Sequence, residues 1–212
     1  MKTEKLIDVL VSDLPQRRAR PGPLLLAAVL ASIVFAGVAL FATIGVRPDV
    51  TAAMQSGRLL FKLVVTVAVA ASAFALVRRF LYPETANAKH LWLLLIGPGL
   101  LAVGVVVELL AVDASGWSMA AIGKNWYLCL TVVPALGIVP LALIIQALRQ
   151  GAPARPALAG ICAGVLAGGI AATFYAVNCT DDSPLFVATW YPIAIGILAA
   201  VGGLLGHRFL RW

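Results

Sequence analysis

The residues with the most reactive side chains stand in one short polar stretch, Asn178–Pro184, which we call the polar loop and which separates two long apolar runs. It carries a thiol, Cys179, and two adjacent carboxylates, Asp181 and Asp182. A second thiol, Cys129, lies about one helical turn inside another apolar run. Thiols form disulfides in oxidising compartments, and thiolates bind soft metal ions. The two thiols are therefore compatible with a structural disulfide, with two unrelated small apolar residues, or with a sensing pair that Asp181 and Asp182 complete as a metal site.

Further residues lie close to this chemistry. Glu108 stands near one end of the third apolar run. Three interpretations are open: a carboxylate at the membrane interface, a partner for Lys124, or a third ligand beside the thiols. Trp190 and Tyr191 follow the polar loop by about two helical turns, where burial against neighbouring helices is the ordinary explanation. The third cysteine, Cys162, should lie on the order of 20 Å from the other two, so only Cys129 and Cys179 can meet.

The elements that must position these residues are transmembrane helices. Hydrophobic residues make up 62% of the chain and charged residues 12%, whereas soluble domains have roughly half and a quarter. At about 20 apolar residues per crossing, the chain has room for about six crossings and one short tail. The sequence therefore predicts an all-α polytopic membrane protein. We expect a six-helix transmembrane bundle over residues 22–212, preceded by a short cytoplasmic amphipathic helix within residues 1–21.

Apolar runs of the length that a crossing needs are bounded by charge, Pro or Asn. They are Leu24–Val46, Leu59–Val77, Leu91–Val112, Trp126–Leu148, Ala157–Val177 and Leu185–Gly206. In the fifth run, Gly160, Gly164 and Gly168 are spaced by four. Small residues let helices approach closely in lipid, so this stripe predicts contacts within the bundle rather than between copies. The oligomeric state stays open.

The distribution of positive charge orients the chain. Lys and Arg number twelve on the side of the two termini and four on the other, namely Arg47, Arg58, Lys62 and Lys124. Positive side chains favour the cytoplasmic side of a membrane. We therefore expect both termini in the cytoplasm, at a bacterial inner membrane, with the polar loop outside. The same rule accounts for the net charge of +7, so the bilayer rather than nucleic acid is the predicted partner of these charges.

The polar N-terminal segment can form one amphipathic helix. Its apolar side chains recur at helical spacing, with carboxylates between them. These residues are Leu6, Ile7, Leu10, Val11 and Leu14 on the apolar face, with Asp8 and Asp13 beside them. A helix of about a dozen residues is marginal alone in water, so this one needs a partner surface or the membrane interface.

Sequence motifs of the common enzyme classes are absent. The sequence has no GxSxG, HExxH, Gly-rich phosphate loop or CxxC. We therefore predict a protein that is not an enzyme, with no cofactor beyond a transient soft metal ion at Cys129 and Cys179. Two alternatives remain. A quinone-linked membrane thiol oxidoreductase would need a vicinal dithiol and a second pair. A small six-span transporter lacks the internal repeat that is typical of such proteins.

The N-terminal segment, a cysteine early in the fourth run and the block Cys179–Tyr191 together resemble the NrsF family, negative regulators of sigma F. The resemblance covers essentially the whole chain, and the block is its most specific part. It implies a membrane-bound anti-sigma factor that sequesters an extracytoplasmic-function sigma factor. It also implies that Cys129 and Cys179 sense oxidant or a soft heavy metal, whereas Cys162 falls outside the pattern. Because the sequence lacks the His and paired Cys of zinc-binding anti-sigma domains, the amphipathic N-terminal segment is the expected sigma-binding surface.

Overall fold

A computed structural model describes Lys5 and residues 21–45, 47–82 and 88–211. These residues form long helices joined by short connectors and contain no strand. The long helices are α1 (Pro21–Thr43), α2 (Gly57–Phe80), α3 (Ile96–Ala111), α4 (Trp126–Leu148), α5 (Pro156–Asn178) and α6 (Pro184–Phe209). Short helices cover Val50–Gln55 and Trp117–Ile122, and 3₁₀ turns cover Ala88–Leu95 and Ala114–Gly116.

The predicted six spans are confirmed as helices. In the described part of the chain, six helical segments are long and apolar enough to cross a membrane. The predicted fourth run coincides with α4, Trp126–Leu148. The third run, Leu91–Val112, is not a single α-helix, because its first residues belong to a 3₁₀ helix that spans Ala88–Leu95. Pro98 explains the change, since it has no N–H for the carbonyl of Leu94 and its ring crowds that carbonyl.

Helix α5 is the centre of the bundle. It packs against α1, α2, α4 and α6, and 67% of its most apolar window is buried, compared with 17% for the segment Lys89–Ala111 that contains α3. Helix α3 lies at the edge, in contact with α2 and α6. The central position follows from composition, because Gly and Ala on every side of α5 let several neighbours approach its backbone.

The glycine stripe of α5 makes the predicted contacts within the bundle. A Cβ at Gly160 would collide with the backbone of Gly202 and Gly206 on α6. A Cβ at Gly164 would collide with the backbone of Leu198 and Ala199 on the same helix. A Cβ at Gly168 would make a tight contact with Ile195, at 3.1–3.2 Å, rather than a collision. Helices α5 and α6 therefore touch backbone to backbone, which fixes the two helices that flank the polar loop.

The buried side chains form two hydrophobic clusters. One contains Cys129, Cys179 and Tyr175, at the end of the bundle where α5 ends and α4 and α6 begin, which we call the thiol end. The other contains Cys162 and Phe80. The structure thus separates Cys162 from the other two thiols.

The predicted sigma-binding residues lie outside the described part of the chain. They are Leu6, Ile7, Asp8, Leu10, Val11, Asp13 and Leu14. The N-terminal amphipathic helix therefore remains a prediction.

Candidate functional site

The two candidate thiols lie in one buried cluster at the thiol end. Cys129 occupies the first turn of α4, where its N–H donates to the carbonyl of Asn125 at 3.0 Å. Cys179 directly follows α5, and its N–H donates to the carbonyl of Tyr175 at 2.9 Å. Their exposed fractions are 0% and 2%, and both are free thiols. Two thiols, one in α4 and one in the polar loop, therefore share a buried environment.

Aromatic side chains enclose the thiols. The ring centroids of Tyr175 and Tyr191 are 6.2 Å apart, and Phe186 packs edge-on against Tyr191 at 6.5 Å. The hydroxyl of Tyr175 donates to the carbonyl of Asn125 at 3.5 Å. Among the residues that the structure describes, the hydroxyl of Tyr191 has no hydrogen-bond partner, and Tyr191 is buried in the same cluster as both thiols. An unpaired buried hydroxyl is uncommon in folded proteins, so it is a notable feature of this cluster.

A buried ammonium group from α2 binds the polar loop. The side chain of Lys62 is 0% exposed. Its Nζ donates to the carbonyls of Cys179 at 2.9 Å and Asp181 at 3.2 Å, and to Oδ1 of Asp182 at 2.7 Å. An ammonium group has three donors, so the polar loop provides an acceptor for each of them.

Arg47, in the connector after α1, binds the second oxygen of the Asp182 carboxylate. Its guanidinium donates to Oδ2 of Asp182 at 2.6 Å, to the carbonyl of Cys179 at 3.2 Å and to both oxygens of Asp49 at 2.8 Å. This hydrogen bonding holds the pKa of the Asp49 carboxyl at about 2 and raises the pKa of Arg47. We call Arg47, Lys62 and Asp182 the clamp, since together they fasten the polar loop to α2 and the first connector.

Asp181 fastens the polar loop to the start of α4. Its Oδ2 accepts hydrogen bonds from the backbone N–H groups of Lys124 at 3.1 Å and Asn125 at 2.8 Å. Gly123 packs against Phe186 and Asp181 with φ +60°, and a Cβ there would collide with the Phe186 ring. Asn125 thus links the loop of one thiol to the helix turn of the other, because its carbonyl accepts the N–H of Cys129.

Glu108 reaches the same loop from α3. It is 5% exposed, so its carboxylate is buried inside the bundle, and its depth relative to the membrane interface stays a prediction. Its Oε1 accepts from the hydroxyl of Ser183 at 3.2 Å and lies 3.4 Å from the guanidinium of Arg58. The ion-pair partner of Glu108 among the described residues is therefore Arg58, whereas Lys124 contributes its backbone N–H to Asp181. Ser183 also accepts the N–H of Leu185 at 3.2 Å and so caps α6.

The family comparison agrees with the resemblance seen in the sequence. Residues 10–212 match the family described as NrsF, negative regulator of sigma F. The chain belongs to the NrsF family.

Two relatives carry the same family name. The anti-sigma-F factor NrsF of Caulobacter vibrioides is 30% identical over 215 residues, which covers all of both chains. The probable anti-sigma-F factor NrsF of Azospira oryzae is 39% identical over 90 residues, which covers 42% of each chain. No solved structure matches this chain.

In this NrsF-family chain both loop carboxylates have partners within the protein. Asp181 is bound by backbone N–H groups and Asp182 by the clamp, and the soft-metal site that they would complete stays a prediction. Within the described ranges, no group of three or more His, Cys, Asp or Glu side chains could hold a metal ion. The soft donors at this site are the two thiols themselves.

Trp190 and Tyr191 have different surroundings in this NrsF-family fold. Tyr191 is 2% exposed and belongs to the thiol cluster. Trp190 stacks on Trp126 at 5.5 Å, and its Nε1 donates to the carbonyl of Ala121 at 3.0 Å. Trp190 therefore fixes α6 against the segment before α4.

Sequence reasoning missed the residues that hold the polar loop. Arg47 and Lys62 were counted only as charges that orient the chain, and Asn125 and Tyr175 were not considered. A signal existed for Lys62, because an ionisable residue inside an apolar run is expensive in lipid and indicates a buried partner. For the NrsF-family chain that partner is Asp182.

Proposed function

We propose that this chain is a membrane-bound anti-sigma factor. It would hold an extracytoplasmic-function sigma factor inactive at the bacterial inner membrane, and release it when Cys129 and Cys179 react with an oxidant or a soft heavy metal. Membership of a family of negative regulators and the names of two relatives support the regulator role. Six apolar helices support the location in a membrane.

The sensing half of the proposal rests on one observation. Two free thiols, one in α4 and one in the polar loop, share a buried cluster, and α2, α3 and the start of α4 all hold that loop. A change of bonding between Cys129 and Cys179 would therefore pull on several helices at once. Cys162 lies in the other cluster and has no part in this step.

The chemistry has two forms. With a hydroperoxide, the two thiols lose two protons and two electrons and form a disulfide, while the hydroperoxide becomes an alcohol and water. With a soft metal ion, the thiols lose two protons and bind the ion as thiolates. A disulfide needs Cα atoms about 4.4–6.8 Å apart. Either product draws the start of α4 and the end of α5 into a new arrangement.

The output would lie at the opposite end of the bundle. The charge distribution favours cytoplasmic termini, which places the N-terminal segment beside a cytoplasmic sigma factor. Its apolar face would enter a groove on the sigma factor, and Asp8 and Asp13 would meet basic residues there. Coupling requires two arrangements of the bundle that the thiol reaction and the sigma factor favour differently.

Co-purification of a tagged sigma factor with the membrane protein tests the sensor. We expect the wild-type chain to release the sigma factor after treatment with hydroperoxide or cadmium ion. The double variant Cys129→Ser/Cys179→Ser should retain it, whereas Cys162→Ser should release it like the wild type. Release from the double variant would overturn the sensing role of the pair.

A second experiment tests the sigma-binding surface. Leu6→Asp combined with Leu10→Asp places charge on the apolar face and should abolish co-purification of the sigma factor. Ser12→Asp adds charge to the polar face of the same segment and is the matched control. Unchanged co-purification with the Leu6/Leu10 variant would exclude this segment as the binding surface.

A further inference from the structure

A lysine is fully buried beside the two thiols. The Lys62 side chain is 0% exposed within a helix that is apolar enough to cross a membrane. An ionised amine in such surroundings is expensive, and residues of this kind are commonly functional. Asp182 balances its charge at 2.7 Å, but a Met at this position would fill the space without needing any partner. The buried positive charge at this position therefore indicates a functional role for Lys62.

The ammonium group and the Cys179 thiol share one acceptor. Nζ of Lys62 lies 3.2 Å from the carbonyl oxygen of Asp181, and Sγ of Cys179 lies 3.9 Å from the same oxygen. Nζ also binds the carbonyl of Cys179 itself at 2.9 Å, as does Arg47 at 3.2 Å. Two cations thus border Cys179, and Lys62 binds the backbone at Cys179 and two residues after it.

Cys129 has different surroundings. It lies inside α4 among apolar side chains such as Val133 and Leu136, whereas the three donors of the Lys62 ammonium all bind the polar loop that carries Cys179. Thiolates, rather than thiols, attack oxidants and bind metals. Burial raises the pKa of the Cys179 thiol, and the positive charge of Lys62 opposes that rise.

We propose that Lys62 is a positioning residue that makes Cys179 the first of the two thiols to react. It holds the backbone around Cys179 in place and stabilises the thiolate by its charge. The inference rests on the proposed function, because it assigns the order of reaction within the sensing pair.

With a hydroperoxide as the oxidant, the bonds, protons and electrons of the proposed steps balance. The Cys179 thiolate attacks the terminal oxygen, an S–O bond forms, the O–O bond breaks, and the alkoxide leaves as an alcohol after taking a proton. The sulfur of Cys129 then attacks the sulfenic sulfur of Cys179. An S–S bond forms, the S–O bond breaks, and hydroxide leaves as water with the proton of Cys129. Cys179 is oxidised first, and Cys129 resolves the intermediate.

The test measures the reactivity of Cys179 alone. The full-length protein carries Cys129→Ser and Cys162→Ser, and the rate of alkylation by iodoacetamide is followed against pH. Replacing Lys62 by Met should slow alkylation about tenfold near neutral pH, which corresponds to an upward shift of the profile by about one pH unit. Lys62→Arg keeps the charge and should stay within about threefold of the parent, since a tenfold change is one unit.

A purely structural role for Lys62 predicts the opposite sign. Loss of the clamp would then loosen the loop, expose Cys179 and speed alkylation without raising the pH of the midpoint, and this result would overturn the proposal. The groups whose charge faces Cys179 are otherwise unchanged in all variants. They are Arg47, Asp181, Asp182, Tyr175 and Tyr191.

A second variant covers the case in which Lys62→Met fails to fold. Lys62→Gln removes the positive charge and keeps an amide that can donate to the polar loop, while Arg47 still binds Asp182. Slower alkylation with a raised midpoint supports the proposal, and an unchanged profile overturns it. The assay contains no sigma factor. Failure of the proposed function would appear in the co-purification experiment, whereas failure of this inference would appear in the alkylation profile.

Discussion

Removal of the Asp182 carboxylate should destabilise the fold strongly. In Asp182→Ala, the buried charges of Lys62 and Arg47 lose their shared partner, and breaking a buried ion pair typically destabilises by about 3–5 kcal/mol. Asp182 is 13% exposed, and the carbonyls of Cys179 and Asp181 still accept from Lys62. These two facts place the expected loss of unfolding free energy near the lower end of that range, at about 3 kcal/mol.

The matched control is Asp49→Ala, which removes the other carboxylate that Arg47 binds. Asp49 is 54% exposed, and ion pairs between exposed groups contribute little to stability. We expect this variant to remain close to the wild type. The double variant Lys62→Met/Asp182→Ala should lose less than the sum of the two single changes, because each single change leaves a buried group unpaired.

The assay is unfolding in mixed micelles, in which helical structure is followed as a denaturing detergent replaces a mild one. The midpoint and slope give the free energy of unfolding for each variant under one condition. If Asp182→Ala and Asp49→Ala lost the same small amount, the clamp would not hold the polar loop. Strict additivity in the double variant would likewise contradict a direct interaction between Lys62 and Asp182.

Other expectations concern helix packing, the unpaired hydroxyl and the thiol. Gly164→Ala should destabilise by about 1–3 kcal/mol through overpacking against α6, while Gly196→Ala, which adds the same carbon where no atom lies within 4 Å, should have little effect in the same unfolding assay. Tyr191→Phe removes a buried hydroxyl without a partner, so the free energy of unfolding should rise by about 1 kcal/mol; a clear loss would show that the hydroxyl has a partner. Because burial raises the pKa of Cys179, its alkylation rate should still increase above pH ~8.5, the ordinary thiol value, and a plateau below that pH would contradict the buried placement.

The spans were predictable because the signal is local. Hydropathy and length identify α4 from the residues Trp126–Leu148 alone, and the four-residue spacing of Gly160, Gly164 and Gly168 indicates a contact stripe. The 3₁₀ start of the third span was not predicted, although Pro98 provides a local reason for it.

The clamp was not predictable in the same way, because its members come from distant parts of the chain. Nothing near Lys62 in the sequence says that its partner is Asp182, and both carboxylates of the polar loop resemble metal ligands when they are read beside Cys179. The partners of Glu108 could not be predicted for the same reason, since Arg58 comes from α2 and Ser183 from the polar loop. Hydropathy gives the depth of a charged residue in a membrane but not the side chain that it meets.

The clamp also constrains how the protein is made. Lys62 and Asp182 are separated by 120 residues. At a synthesis rate of about 5–20 residues per second, α2 leaves the ribosome on the order of ten seconds before its carboxylate partner exists. During this interval, the ammonium group must remain in contact with water, lipid headgroups or the insertion machinery. The final seating of α2 is therefore a late step of biosynthesis, completed when α5 and α6 arrive with the polar loop between them.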